Sequence, residues 1–476
     1  MQVFIAIAIC KILYMIGKLM GKGSSLPGKI ALKIYPNVLA HLQLPEHVIA
    51  VTGSNGKTST AELIAHALKA SGKSVGWNHE GSNQIEGVAT LLLRVAALSG
   101  KVKKDALVLE CDERYARQIF TYIKPSALLI TNLCRDQLTR NGHHEFVLDY
   151  IQRAVDEAGS ETTLVLNADD PYVSTLGVQE AALENDGDGA IKLDANIIWF
   201  GACADFGTSH FEIEATPRYD DGAFCPVCKS EMKYDFRIAG NYGAFCCNSC
   251  PFKRQVPDFE VTKLDYESGM MEITGNVTSR AAQSLHATSL IKTHLVLPGL
   301  IGAYNVVAAI AAVSTTGVSA QTAASAIDGY MLKGGRTVHF LIQAREGTLL
   351  ISKHENSLAY DQSLTWAVRQ KKPCTLVILV NDISRKYYTS ETSWLWDIDF
   401  EIANHAMVEH IVLAGRYVSE LAARFALTGI DQSKIGYVAD IDALRTYIEK
   451  NTSGAIYVLT CFSDKAKLLE GLGLGK

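Results

Sequence analysis

The sequence predicts an α/β protein of more than one domain, and three observations carry that expectation. Short apolar runs alternate with segments long enough for helices, as in a largely parallel sheet. One of those runs leads through a glycine-rich turn into a helical pattern. The rhythm then breaks and restarts near residue 336, in a chain whose 476 residues exceed what one hydrophobic core usually organises.

The first 23 residues are apolar, but Lys11 and Lys18 interrupt them before they reach the ~20 uncharged residues of a membrane span. They also lack the positive leading region and small-residue cleavage site of a signal peptide. Ile5, Ile9, Ile12 and Ile16 fall at helical spacing and predict one amphipathic helix, which either packs on the protein's own body or lies shallowly on a membrane surface. His47–Thr52 reads as a strand, residues 61–70 as a helix, and 106–109, 127–131, 163–166 and 197–200 as further strands. Residues 219–256 break the pattern with a Cys-rich, aromatic, turn-rich stretch expected to be a small insertion. A strand is expected at 294–297 and a small-residue helix at 304–313, before the punctuation Gly334-Gly335-Arg336. Strands at 348–351, 375–380, 411–414 and 456–459 then predict a second α/β domain.

Composition narrows the function classes. Lys and Arg number 45 against 50 Asp and Glu, a net charge of −5, which argues against a chain mainly wrapping nucleic-acid phosphates. Apolar residues make up 48% and charged residues 20%, a profile that buries large cores rather than staying disordered. Eleven cysteines, an odd number scattered from Cys10 to Cys461, do not resemble the disulfide framework of a small secreted domain, so a reducing cytoplasm is expected.

The strongest nucleotide signal is Thr52-Gly53-Ser54-Asn55-Gly56-Lys57-Thr58-Ser59, between a strand and a helix. Glycines let backbone N–H groups curl round phosphate oxygens, the lysine meets the β- and γ-phosphates, and the threonine hydroxyl can hold Mg²⁺. Val51 stands where the strict phosphate-loop pattern has its first glycine, so the match is a variant. Glu110 follows an apolar run, where a parallel strand delivers a carboxylate to the sheet edge that binds ligands, and a hard cation takes such oxygen ligands. Asn132, Arg135 and Asp136 are expected on the same edge.

Cys225-x₂-Cys228-x₁₈-Cys247-x₂-Cys250 is the second strong signal, two knuckles that can set four thiolates on a tetrahedron around Zn²⁺. Cys246 could compete with Cys247, and redox disulfides or free core cysteines are the alternatives to metal. About forty residues can hardly build their own core, and zinc binding of about 10–16 kcal/mol would supply the missing stability. Four signals are weaker. Asn167-x-Asp169-Asp170-Pro171 fits an Asx-type turn. Asn305 either caps a helix or touches a base, and His143-His144 reads as a solvated loop rather than a ligand pair. Trp394-Leu395-Trp396, with Glu391 and Asp397, is core edge or interface.

Taken together, these motifs resemble the Mur ligases, ATP-dependent amide-forming enzymes of cell-wall precursor assembly. The loop at Thr52–Thr58, Glu110, Thr131-Asn132-Leu133, Asn167-Ala168-Asp169-Asp170, Tyr304-Asn305 and Gly335-Arg336 follow that family's ordered motif series. The segment from Ser25 to Lys33, the four-cysteine insertion, Arg135-Asp136-Gln137-Leu138 and the stretch Ser393 to Glu401 are similar to its MurT/GatD-type branch. The resemblance implies three parts: an N-terminal helix and arm (1–40), a Mur-ligase-like central ATPase domain (41–335) carrying the zinc-ribbon insertion, and a Rossmann-like C-terminal domain (336–476). It also implies a reaction, ATP-dependent amidation of the D-glutamate α-carboxylate of the lipid II stem peptide to D-isoglutamine through an acyl phosphate. Ammonia would come from a GatD-type glutaminase subunit in a heterodimer, with the enzyme cytoplasmic at the inner face of the membrane and shallow membrane contact as one reading of the N-terminal helix.

By the same resemblance Gly53, Ser54, Asn55, Gly56, Lys57, Thr58 and Ser59 would cradle ATP, Thr58 and Glu110 would serve Mg²⁺, Asn305 the adenine, and Arg336 the nucleotide phosphates. Lys57 and Glu110 would be catalytic, and Glu391 would stand where the branch often has an Asp facing the glutaminase. Gln137 replaces a frequent His, and Lys353-His354-Glu355 replaces a common Lys-Asn-Pro. No cysteine sits in a Gly-x-Cys-x-Gly turn, which agrees with an outside source of ammonia. The competing enzyme reading is an amino-acid-adding Mur or folylpolyglutamate-type ligase. A nucleic-acid-binding zinc ribbon using Lys229, Lys233, Arg237, Lys253 and Arg254 is disfavoured by Asp220, Asp221, Glu231 and Asp235 in the same segment.

Overall fold

The structure, a computed structural model, describes residues 1–19, 25–79, 82–177, 196–204, 220–238, 240, 242–266, 268–275, 290–296, 299–333, 337–382 and 391–474. Two compact units emerge, one from most of residues 1–332 and the other from Cys134–His143 with Lys333–Lys476. The loop Cys134–His143 thus groups with the second unit although the strand before it, Ala127–Ile130, belongs to the first.

Six strands of the first unit lie parallel: β1 His47–Thr52, β2 Val75–Trp77, β3 Ala106–Glu110, β4 Ala127–Ile130, β5 Thr163–Asn167 and β6 Ile197–Ala202, in spatial order β6-β5-β4-β1-β3-β2. Their cores read as unbroken apolar runs because both faces are covered. On one face Val48, Ala50, Leu107, Leu109, Leu128 and Ile130 join a core that includes residues of the helices Ile85–Val95 and His144–Ala158. Elsewhere in the unit the helices Lys57–Ala70 and Leu300–Ser314 pack on each other and against strands of the sheet. Each such side chain taken fully out of water contributes about 1.5–3 kcal/mol.

The hairpin β7 Met232–Ile238 and β8 Tyr242–Cys247 forms a separate sheet in the insertion. Beyond it, β9 Phe259–Leu264 pairs parallel with β6, and β10 Met270–Gly275 and β11 Ile291–His294 extend the sheet antiparallel. The strand expected at 294–297 lies earlier. Pairing with β10 needs a period of two, which Ile291 and Thr293 (buried) and Lys292 and His294 (exposed) supply.

The N-terminal helix Gln2–Leu19 packs on the helices Leu26–Ile34 and Ile85–Val95, but not through the isoleucine face. It buries Ala6, Ile7 and Cys10, whose mostly small side chains allow close approach, while Ile5, Ile12 and Ile16 stay exposed. Gly28 serves the same layer, because a Cβ there would collide with the Glu86 carbonyl.

The second unit holds a six-stranded sheet ordered β12-β13-β17-β14-β15-β16, namely β12 Thr337–Ile342, β13 Arg345–Ser352, β14 Cys374–Leu379, β15 Val408–Ala414, β16 Ile435–Val438 and β17 Ala455–Cys461. Only the β12–β13 pair is antiparallel. Alternation divides each strand between two cores. Leu376, Ile378, Ile411 and Leu413 meet the helices Ser357–Val368 and Val418–Phe425, and Val377, Leu379, Val412 and Val458 meet Ile441–Asn451 and Lys465–Gly471. This is a Rossmann-like three-layer arrangement.

Candidate active site

The chain leaves β1 to build β2 and β3 on one side and then crosses to β4 on the other, so β1 is the switch point of the sheet, where open α/β folds bind ligands. Residues 53–56 turn from β1 into the helix Lys57–Ala70 at that edge. Gly53 (φ +122°) and Gly56 (φ +83°) adopt conformations that an L side chain rarely takes. The space is also closed, since a Cβ on Gly53 would strike Thr131 and one on Gly56 would strike Asn305.

The segment after β4 holds the loop's shape. Thr131 Oγ1 donates to the Asn55 carbonyl at 2.7 Å, the Asn55 N–H donates to Asn132 Oδ1 at 2.8 Å, and the Ser54 N–H donates to the Asn132 carbonyl at 2.8 Å. The first intrahelical bond runs from Thr60 N–H to the Gly56 carbonyl, so the first-turn N–H groups of Thr58 and Ser59 point out of the helix N-terminus, a ready anion site. Thr58 and Ser59 are half-buried, whereas Lys57 is buried with its ammonium on the Gly53 carbonyl and the Glu113 carboxylate.

Register sets Glu110 opposite Val51 at the carboxyl end of the strands, as expected. It is buried and accepts a hydrogen bond from Asn83 Nδ2 at 3.2 Å, and its backbone is bracketed by Asn78 at 2.9 Å on both N–H and C=O. Asp112 and Glu113 are buried beside it in sequence. A helix N-terminus, a buried lysine, a hydroxyl and a carboxylate on one sheet edge form a donor set that fits a nucleotide triphosphate and a hard cation. Asn305 lies well inside the helix Leu300–Ser314, so it caps nothing there, and its amide oxygen faces Gly56. Arg336 lies outside the described residues.

Sequence reasoning missed the best-developed polar network of this unit. Asp169, with no exposure, accepts from Arg254 Nε, Ala202 N–H and the Tyr304 hydroxyl, each at 2.6 Å. Burial lifts its carboxyl above the usual range despite those three donors. Arg254 lies just beyond the last cysteine of the insertion and also binds the Ala202 carbonyl at 2.7 Å and Glu260 at 3.2 Å. The insertion is thereby tied to Tyr304, the residue before Asn305. The Asx-type turn is present too, since Asn167 Oδ1 accepts from Asp169 N–H at 3.0 Å. Asp170 caps the helix Pro171–Thr175 and takes the Leu133 N–H at 2.6 Å. Burial pushes its carboxyl up to about 7. His144 is not solvated: it opens the helix His144–Ala158, buried edge-on against Tyr172 at 4.2 Å.

The four expected thiols converge, with Cys225 Sγ 3.7 Å from Cys250 Sγ and Cys228 Sγ 3.3 Å from Cys247 Sγ, and all four within 4.8 Å of one another. A tetrahedron with Zn–S bonds of about 2.3 Å requires sulfurs about 3.8 Å apart, so the donors fit zinc. Cys246 is outside this cluster because neighbours on β8 point to opposite faces. Among the described residues the insertion's apolar core is Cys225, Phe245 and Phe252 with a few partly buried neighbours. Of the basic residues there, Lys229 pairs with Glu145 at 2.8 Å, Arg237 lies over Tyr234 and Arg254 is committed to Asp169. That leaves little of a nucleic-acid patch.

Arg135 and Asp136, expected beside the loop, take their partners within the second unit, because the chain turns away after Leu133. Arg135 pairs with Asp397 at 3.2 Å, and Asp136 with Lys353 at 3.1 Å and Asn356 Nδ2 at 2.8 Å. Gln137 and Glu355, both at positive φ, are joined by the Gln137 N–H to the Glu355 carbonyl at 3.0 Å. Trp394 is core, stacked at a tilt on Tyr360, while Trp396 is about half exposed. Glu391 is exposed and its carboxylate accepts the Ser393 N–H at 2.7 Å, which holds it below the ordinary carboxylate range.

Two family models match this chain, the Mur ligase middle domain over residues 51–215 and the MurT ligase C-terminal model over 354–464. A Streptococcus pneumoniae protein, the MurT subunit of lipid II isoglutaminyl synthase (glutamine-hydrolyzing), is 30% identical over 449 residues, 93% of this chain and 91% of that one. The Staphylococcus aureus protein of the same name is 27% identical over 90% of this chain and 89% of its own length. Among solved structures, a pseudomurein peptide ligase type C from Methanothermus fervidus superposes with a TM-score of 0.66 at 17% identity, covering 92% of this chain and 80% of that one. MurF from Acinetobacter baumannii gives 0.61 at 15% identity, covering 93% and 80%. These two share the fold, and the near full-length likeness in sequence decides the family: this chain belongs to the MurT family of Mur ligases.

Proposed function

We propose that this protein is the ATP-consuming subunit of a lipid II isoglutaminyl synthase, working in the cytoplasm at the inner face of the membrane. The observation that carries this reading is a phosphate-loop site at the sheet's switch point in a chain similar to MurT subunits over 93% of its length. ATP lies along Gly53–Ser59, with its phosphates at the helix N-terminus and beside Lys57. Asn305 serves the base and Arg336 the phosphates. Thr58 and Glu110 hold Mg²⁺, which when bound offsets charge on the transferring phosphoryl group. Cys225, Cys228, Cys247 and Cys250 would hold a structural zinc, which would stabilise the insertion rather than serve the chemistry.

An oxygen of the D-glutamate α-carboxylate of the stem peptide attacks the γ-phosphorus, and ADP leaves. Ammonia then attacks the acyl carbon of the resulting acyl phosphate, the carbon–oxygen bond to phosphate breaks, and loss of a proton leaves the amide. Lys57 stabilises the transferring charge, and the phosphoryl group turns a poor electrophile into one that neutral ammonia attacks. A GatD-type glutaminase subunit supplies the ammonia by hydrolysing glutamine, in a heterodimer to which Glu391 presents its acid.

Lipid II labelled with ¹⁸O in that α-carboxylate tests the reading. Label in the released phosphate is the expected result, and amide formation with unlabelled phosphate would remove the acyl phosphate. ATP-dependent addition of an amino acid instead of ammonia would move the protein to the amino-acid-adding ligases.

A further inference from the structure

The helix Gln2–Leu19 is built the wrong way round for a helix whose only role is to seal a core. Its buried stripe is Ala6, Ile7 and Cys10, while its large apolar side chains, Phe4, Ile5, Ile12, Met15, Ile16 and Leu19, are exposed. At about 100° per residue these six fall on one face, opposite the buried stripe. A contiguous apolar face of this kind marks an interaction surface rather than ordinary solvent exposure.

Charge selects the partner. From Met1 to Pro45 the sequence carries five lysines, at 11, 18, 22, 29 and 33, and no Asp or Glu. Lys18 is exposed on the helix itself, and Lys29 and Lys33 are exposed on the helix Leu26–Ile34 packed against it, which also exposes Leu26 and Ile34. A second copy of the same face would set lysine against lysine, whereas anionic headgroups would neutralise it. By length and composition the helix could cross a bilayer. Spanning would, however, strip Ala6, Ile7 and Cys10 from the core and break the bond from Lys11 Nζ to the Arg94 carbonyl at 3.0 Å.

We infer that the outward face of Gln2–Leu19 docks the protein on an anionic lipid bilayer, lying in the interface rather than spanning it. The docking does not depend on the reading of the active site. Its consequence does: the amidation site would be held at the surface that carries its lipid-linked substrate.

The test is flotation of the full-length protein with vesicles of phosphatidylcholine alone or with about one-third phosphatidylglycerol, at low and high salt. The expected result is roughly tenfold or stronger preference for the anionic vesicles, weakened by salt, released by alkaline carbonate, and lost in Ile12→Ser/Ile16→Ser. That variant alters only exposed side chains, so its thermal midpoint and its amidation of detergent-dispersed lipid II should match the parent, which separates failure of docking from failure of the functional reading. Lys18→Glu/Lys29→Glu should lose the anionic preference with the apolar face intact. Equal flotation of the isoleucine variant would overturn the inference. So would carbonate-resistant insertion, or vesicle-independent dimerisation that the variant abolishes.

Discussion

Replacing Arg254 with methionine isolates the tie between the zinc insertion and the ATP-site unit. Methionine keeps most of the apolar stem but removes the guanidinium that meets Asp169 at 2.6 Å, the Ala202 carbonyl at 2.7 Å and Glu260 at 3.2 Å. Breaking a buried ion pair from one side typically costs about 3–5 kcal/mol, because the remaining charge is left uncompensated. Asp169 keeps the Ala202 N–H and the Tyr304 hydroxyl, so the lower end, about 3 kcal/mol, is expected. The sign with pH follows from burial, which raises the folded-state pKa of Asp169 above its unfolded value, and loss of Arg254 raises it further. The deficit is therefore largest above that raised folded pKa and shrinks as the pH falls through it, because the protonated acid needs no cation. Urea unfolding of the first unit, followed by hydrogen exchange of β5 and β6 at several pH values, reads this directly. Arg254→Met/Asp169→Asn should recover most of the loss. A single variant within 1 kcal/mol of the parent, or a deficit flat with pH, would refute the reasoning.

Four further outcomes are expected. Lys57→Ala should lower ATP turnover by about 10²–10³ or more while the thermal midpoint of the second unit stays put; near-normal amidation would remove Lys57 from the site. Elemental analysis should find one zinc per chain in the parent and none in Cys225→Ser, whose insertion should open to protease; a metal-free variant of equal resistance would contradict a structural site. Glu391→Gln should depress amidation driven by glutamine and the glutaminase subunit while sparing amidation driven by ammonium, and equal loss of both would detach Glu391 from the partner. Because burial lifts Asp170 to about 7, its ionisation costs stability that grows as the pH rises from about 4 to about 7 and then levels off. Asp170→Asn should flatten that slope in thermal melts, and an unchanged slope would assign it elsewhere.

The parts of the fold visible in the sequence are those where one local pattern has one physical meaning. β1, β3, β4 and β5 are buried on both faces and so read as apolar runs, and the glycines at 53 and 56 announce a turn that Cβ atoms would block. Four thiols at knuckle spacing admit few other uses. What stayed hidden depends on distant partners. β9 and β10 are half-exposed and their pattern is diluted by charges, and β2 is three residues long. Arg254 looked like one of several surface cations, because nothing local reveals an aspartate 85 residues earlier in the chain. Asp169 looked like a turn residue, which it also is. The N-terminal helix was legible as a helix, but its inward face is the small-residue stripe, since close packing on Leu26–Ile34 favours little side chains over large ones. Arg135 and Asp136 follow β4 in sequence, yet their partners Asp397, Lys353 and Asn356 lie more than 200 residues away and carry the loop into the second unit.

The central claim is that this chain activates a carboxylate of lipid II for ammonia. Mass spectrometry of lipid II incubated with the purified protein, Mg-ATP and ammonium tests it most directly, with a parallel reaction in which a co-expressed glutaminase subunit and glutamine replace ammonium. The account expects one stem carboxyl to become an amide, a loss of about 1 Da, with ADP formed in step and glutamine used only when the partner is present. Unchanged lipid II under ATP turnover, or a mass gain equal to an added amino acid, would contradict it.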